Sequence, residues 1–244
     1  MIHGLMGSQH FYRPQGRIRT AAVHTPDLIG YGEHDNAKAS EITLANQAEH
    51  VVRYLYEHVD TPSVLLGHSV GGAIAMLAAN AAPERVRGII NVEGNFTLAD
   101  AFWCRQIAGL NDAEWYAEHE RLVSDPEGWL KNGGIELTPQ RLEWARDTLA
   151  NQPRETIHAM ARTVVDVTGA PGYLATVRAV VERGTPLFLL AGERSASGWD
   201  LPDGVRAAAR DYVVQSGVGH MMMLEQPDTF CRIVDDMIIQ LDAY

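Results

Sequence analysis

The stretch Ser63-Val64-Leu65-Leu66-Gly67-His68-Ser69-Val70-Gly71-Gly72-Ala73 decides how the rest of the chain reads. It begins with a short apolar run, which suits a strand buried on both faces. The run ends in Gly-x-Ser-x-Gly. A small, apolar stretch of helical length follows from Gly71 to Ala82 and stops at Pro83, which cannot continue a helix. The spacing therefore predicts Ser69 on a tight strand-to-helix turn. Gly67 and Gly71 are needed there because side chains would collide where the chain doubles back. Such a turn lifts the Ser69 hydroxyl above the sheet and aims the free N–H groups of the helix N-terminus at the same place. A glycine-rich structural turn with an idle serine is the competing reading. The strand and helix signals on either side weigh against it.

Further strands and helices alternate around this turn. Thr43 to Val59 carries Leu44, Ala48, Val51, Val52 and Leu55 at helical spacing. Val86 to Val92 reads as the next strand, with Glu93-Gly94-Asn95 at its C-terminal end. Thr185 to Gly192 and Asp211 to Gln215 read as two more, and Phe230 to Leu241 as a closing helix. Arg19 to Val23 is a short β-like run ahead of a Pro- and Gly-marked loop from Pro26 to His34. Strands alternating with helices imply an α/β fold, a mostly parallel sheet with helices on both faces, and ligands bind at the C-terminal ends of such strands. His3, Asp27, Ser69, Glu93, Gly192 and His220 all follow expected strand ends or the stub of one.

From Phe96 to about Thr168 strand signals vanish and amphipathic helical stretches take over. Trp103, Trp115, Trp129 and Trp144 fall there, and Trp199 is the only tryptophan outside. The expectation is a sheet core of residues 1–95 and 169–244 with a helical cap, 96–168, inserted into it. Ordinary cap packing accounts for any single tryptophan. Trp103, Trp129 and Trp144 are nonetheless candidates to line an apolar substrate pocket, together with His3, His68 and Met221 beside the presumed reacting groups.

Composition narrows the functions. The chain has 244 residues, enough for one large domain, with 46% hydrophobic and 21% charged residues. Its formal net charge is −11 and it has no basic run, which argues against a nucleic-acid partner. Cys104 and Cys231 are the only cysteines, too few for a disulfide framework, and read as two buried thiols. The histidines lack the paired spacings that bind zinc, and no nucleotide fingerprint appears, so neither metal nor cofactor is expected. No stretch approaches transmembrane length and no signal peptide is visible, so the expected location is the cytoplasm, with a leader ahead of Met1 left open. The sequence gives no reading of oligomeric state.

These pieces together resemble the α/β-hydrolase superfamily, from His3 to the C-terminal helix. The resemblance rests on the His3-Gly4 loop, the Asp27-to-Gly32 loop, Gly67-His68-Ser69-Val70-Gly71-Gly72, and Gly219-His220 with Glu225-x-Pro227 behind it. Family members have two strands and an inner strand ahead of the His-Gly loop, where only Met1 and Ile2 stand here. Those N-terminal strands are missing from the pattern, and a gap beside the elbow strand is expected. The resemblance implies Ser69 as nucleophile and His220 as general base, in the family's chain order. It also implies an oxyanion hole made of the backbone N–H groups of Leu5 and Val70.

One departure concerns the third member. Most relatives carry an aspartate three residues after the glycine that closes the second-to-last strand, and here that position is Ser195. Some relatives carry the acid at the end of the strand after the elbow, where Glu93 stands. A glutamate can orient the imidazole and stabilise the imidazolium. Glu93 is therefore preferred over Glu193, Asp200 and Asp203. The implied function is a serine hydrolase of small carboxylic esters or thioesters, working through an acyl-enzyme. The alternatives are C–C bond or lactone hydrolysis, perhydrolase-like chemistry, and a slow-hydrolysing ligand receptor. Epoxide and haloalkane hydrolysis are disfavoured, because those relatives use an aspartate where Ser69 stands.

Overall fold

The structure is a computed structural model and describes residues 1–242. Its elements in chain order are α1 (Leu44–His58), β1 (Ser63–His68), α2 (Val70–Ala81), β2 (Val86–Val92), α3 (Phe102–Ala108), α4 (Asp112–Ser124), α5 (Pro126–Asn132), α6 (Pro139–Ala150), α7 (Arg154–Thr168), α8 (Pro171–Glu182), β3 (Leu187–Gly192), α9 (Asp203–Ala208), β4 (Asp211–Gln215), α10 (Met222–Glu225) and α11 (Pro227–Asp242). The four strands form one parallel sheet in the order β1-β2-β3-β4.

Parallel strands need crossovers, and these place helices on both faces. Successive side chains then point to opposite layers. Leu65, Ile89, Leu187 and Leu189 join α1, α2, α7 and α8 in one apolar cluster. Leu66, Ile90, Phe188 and Leu190 meet Phe230, Val234 and Ile238 of α11 in another. This double burial explains why the strands read as unbroken apolar runs. α1 starts where Thr43 accepts a hydrogen bond from the Asn46 N–H. Between β2 and β3 the regular elements are all helices, α3 to α8. Trp115 is fully buried there, and its indole N–H donates to Arg154 O at 2.7 Å. Cys104 and Cys231 are free and buried, and burial raises each thiol to about 12.

Two expectations change. Arg19 to Val23 forms no strand. Among the described residues no strand pairs with it, and the Asp235 carboxylate takes the Arg19 and Thr20 N–H groups at 3.0 Å each. The expected gap beside the elbow strand is partly bridged. Ile2 pairs in parallel with β1, its N–H donating to Leu66 O at 2.7 Å and its carbonyl accepting from His68 N–H at 3.0 Å. Farther along the same edge lies an apolar groove lined by Ala22, Val23, Val64, Leu66, Val234 and Ile238.

Candidate active site

Ser69 sits between β1 and α2 with φ 54° and ψ −123°. A residue other than glycine rarely occupies that region, and the cost persists only where the surroundings fix it. Here its N–H donates to Val92 O at 3.0 Å, and its carbonyl accepts from Gly72 and Asn95. The two elbow glycines are needed for close approach: a Cβ at Gly67 would lie 2.2 Å from Gly71 O, and one at Gly71 2.4 Å from Ile2 O. Val70 is the first residue of α2, so its N–H has no intrahelical partner.

Glu93 directly follows β2 and also has a positive φ, 42°. The turn carries its side chain sideways to His220, whose Nδ1 lies 2.6 Å from Glu93 Oε2. The other carboxylate oxygen accepts from the Gly192 N–H at 2.8 Å and the Ser195 hydroxyl at 2.6 Å. Ser195, at the position where most relatives carry an aspartate, thus donates to Glu93. Burial works to raise the Glu93 pKa, but the adjoining His220, Ser195 and Gly192 outweigh it, and the net shift is downward. Glu93 is 6% exposed and its carboxylate is held charged against an imidazole. Of the other carboxylates considered, Glu193 binds the Gly217 N–H and Asp200 binds Thr97.

His220 follows β4 and is held from two further sides. His68 donates from Nε2 to His220 O at 3.0 Å, with ring centroids 4.5 Å apart. Glu225 Oε1 accepts the neighbouring Gly219 N–H at 2.7 Å, and Glu225 is paired with Arg194 at 2.7 Å. Arg194 also reaches Gly217 O and Gly134 O, so it ties the histidine loop to the helical segment. Glu225 stood out in the sequence as a marker behind His220, but nothing announced Arg194 as its partner. Among the described residues no hydrogen bond joins Ser69 to His220. Nδ1 is engaged by Glu93, which leaves Nε2 as the ring nitrogen able to take a proton.

The remaining candidates separate. His68 is buried, and its pKa is pushed well below normal by burial and then by His220. His3 is also buried: its Nδ1–H donates to Gly4 O at 2.9 Å and its Nε2 accepts from Leu28 N–H at 3.3 Å. Burial lowers its pKa to about 4. Both rings therefore brace backbone. Trp129, Trp144 and Met221, the residue after His220, pack around one small cluster with Leu130 and Leu224. Trp103 instead lines a groove with Gln106, Leu110 and Arg121 on the far helices. Leu5 is buried and its carbonyl accepts from the Tyr31 hydroxyl at 2.8 Å.

The family model described as the alpha/beta hydrolase family matches residues 1–233. The chain belongs to the alpha/beta hydrolase family. Among its sequence relatives, a "Putative carbamate hydrolase RutD" of Azorhizobium caulinodans is 25% identical over 236 residues, 95% of this chain and 80% of that protein. The protein of the same name from Cronobacter sakazakii is 29% identical over 158 residues, and the match spans 63% of this chain and 53% of the relative. The chain thus spans about half the length of that curated relative. An esterase structure from Thermogutta terrifontis superposes with TM-score 0.73 at 19% identity, covering 98% of this chain and 88% of that one. MenH from S. aureus superposes with TM-score 0.72, also at 19% identity, over 99% and 92%. These likenesses establish the fold, and the family supports hydrolase activity. Among the described residues no helix is long and apolar enough to cross a membrane, and no group of histidine, cysteine or acidic side chains could hold a metal ion.

Proposed function

We propose that the protein is a serine hydrolase that cleaves small carboxylic esters or thioesters through an acyl-enzyme. In this reading Ser69 is the nucleophile, His220 the general base and Glu93 the acid. The observation that carries it is the 2.6 Å bond between Glu93 and His220 Nδ1, at the end of the strand beside the Ser69 turn. A serine hydroxyl is a poor nucleophile at neutral pH. His220 Nε2 takes its proton as Oγ attacks the carbonyl carbon, and Glu93 fixes the tautomer and steadies the imidazolium. The tetrahedral oxyanion is received by the N–H groups of Val70 and Leu5. His220 then returns the proton to the leaving group, and water repeats the cycle on the acyl-enzyme. In the same proposal residues 96–168 form the cap over this site, the substrate is a small molecule, and the protein acts in the cytoplasm.

The names of the sequence relatives favour a second substrate class. A carbamate carbonyl is open to the same attack, and three relatives carry the name "Putative carbamate hydrolase RutD". The test is a panel of p-nitrophenyl esters of rising chain length beside p-nitrophenyl carbamates, with Ser69→Ala as control. Ester turnover abolished by Ser69→Ala supports the first reading. Turnover of carbamates alone transfers the mechanism to the second. Turnover of every accepted substrate by Ser69→Ala at the wild-type rate ends both.

A further inference from the structure

The loop bearing the Leu5 N–H is held by residues from a distant part of the chain. Gly7, two residues beyond Leu5, has φ 112°. Its N–H donates to Gln152 Oε1 at 2.9 Å, and its carbonyl accepts from Asn151 Nδ2 at 3.1 Å. Gln152 is 5% exposed, and its amide nitrogen donates to Thr148 O and Leu149 O at 3.2 Å each. This fixes which way the amide faces: the oxygen must point to Gly7. Asn151 O accepts the Gly32 N–H at 2.8 Å, and Thr156 donates to Gly30 O at 2.9 Å. The turn between α6 and α7 therefore grips two loops of the sheet domain. Among the described residues, by contrast, the backbone hydrogen bonds from the segment before Gly7 to the sheet are those of Ile2 alone.

We propose that Gln152 and Asn151 are positioning residues for the oxyanion hole, so that the inserted helices set the aim of the Leu5 N–H. The proposal rests on the serine-hydrolase reading above. If the grip is released, the loop from Gly4 to Ser8 keeps its His3 and Tyr31 contacts but loses the anchor at its far end. The Leu5 N–H is then poorly aimed at the transition-state oxygen, while the ground-state substrate loses little. Removing an oxyanion donor outright costs about 10²–10³ in kcat, so misaiming one is expected to cost about tenfold to a hundredfold.

The test is Gln152→Leu, close in size but unable to accept the Gly7 N–H, with Asn151→Ala as the milder companion. Three quantities are read: kcat and KM on p-nitrophenyl acetate, the inhibition constant of an aryl trifluoromethyl ketone, and the thermal midpoint. On binding the ketone, Ser69 Oγ adds to its carbonyl carbon, the hydroxyl proton passes to His220, and the carbonyl oxygen becomes an oxyanion in the hole. The expected result is kcat down by about tenfold to a hundredfold in Gln152→Leu, KM within about threefold, and ketone affinity down by the same factor as kcat. Asn151→Ala should show the same pattern at smaller size, and it carries the test if Gln152→Leu fails to fold. Losses confined to KM, or ketone affinity within about twofold of wild type in the folded variants, overturn the proposal. A wild type that neither turns over the ester nor binds the ketone removes the serine-hydrolase reading, and the proposal with it. A wild type that does both, with unaffected variants, removes the proposal alone.

Discussion

Two backbone N–H groups, those of Val70 and Leu5, are the ones proposed to receive the substrate oxygen, yet they are held by opposite means. Val70 is placed by its own neighbours: a strand ending at His68, a strained Ser69, and a helix starting at Val70 itself. Its setting is local, and a pattern of eleven residues describes it. Leu5 lies on a loop of ten or so residues without regular structure, placed by His3, Tyr31, Asn151 and Gln152. Three of those four come from other segments. One donor is fixed by turn chemistry and the other by tertiary contacts, and the two should fail differently. The first should fail by loss of chemistry with the fold intact. The second should fail through the conditions and substitutions that loosen tertiary structure.

The largest effects belong to the local half. Ser69→Ala and His220→Ala are each expected to lower ester turnover by several orders of magnitude, on the order of the losses in other Ser–His pairs, and Ser69→Ala to do so without lowering the unfolding midpoint. Steady-state kinetics beside urea denaturation checks this. A variant that loses stability as well as turnover would show that the elbow is not self-sufficient.

The tertiary half should show itself in acid. His3 is neutral in the fold, with a pKa lowered from 6.5 to about 4 by burial. Below pH 6.5 the unfolded chain binds a proton that the native ring refuses, so the unfolded state gains on acidification. Stability is complete above about 6.5 and declines toward pH 4, by up to about 3 kcal/mol for this group. Urea titrations at pH 7 and pH 4.5 measure it. His3→Asn should flatten this limb, with His68, shifted the same way, keeping the rest. An acid limb as steep in His3→Asn as in wild type would place the loop's vulnerability elsewhere.

Glu93 lies between the two cases. Its strand end is local, but its partners Gly192, Ser195 and His220 are about a hundred residues away. Glu93→Gln keeps the shape and removes the charge that steadies the imidazolium. It is expected to cost at least about a hundredfold in turnover, whereas Glu193→Gln costs little. Equal losses in the two variants would undo the assignment of the acid and leave the Ser69–His220 pair.

The same division explains what the sequence made legible. β1, α2, β2 and the positions of Ser69, Glu93 and His220 follow from apolar runs, turn glycines and strand ends, all short-range signals. Glu93 could be preferred because Ser195 cannot carry a charge. Asn151 and Gln152 gave no such signal: they precede Pro153 and read only as a break between helices. Polar residues near a helix end are common, and only the fold shows that Gln152 is buried against Gly7. Arg19 to Val23 misled for the complementary reason. Its residues favour a strand, but a strand also needs an edge to pair with, and here Asp235 takes its N–H groups instead.

The smallest effect expected lies at the seam where the helices meet the Leu5 loop. Thr148 stands on α6 with its methyl against Gly7: a Cβ at Gly7 would come 2.5 Å from Thr148 Cγ2. Its hydroxyl oxygen is buried and has no hydrogen-bond partner among the described residues. The methyl is what the packing uses, while the hydroxyl carries only the cost of lost hydration. Thr148→Val keeps the methyl and replaces the stranded oxygen with carbon of similar size. Replacing an unpaired buried polar group in this way is expected to raise stability by about 1 kcal/mol. Gly7→Ala should do the reverse, because it drives a Cβ into Thr148 and forces an alanine to φ 112°. Urea midpoints of the two variants measure the difference. If Thr148→Val is the less stable protein, the hydroxyl has a partner at the seam, and the junction between α6 and Gly7 is held by more than shape and the Asn151–Gln152 grip.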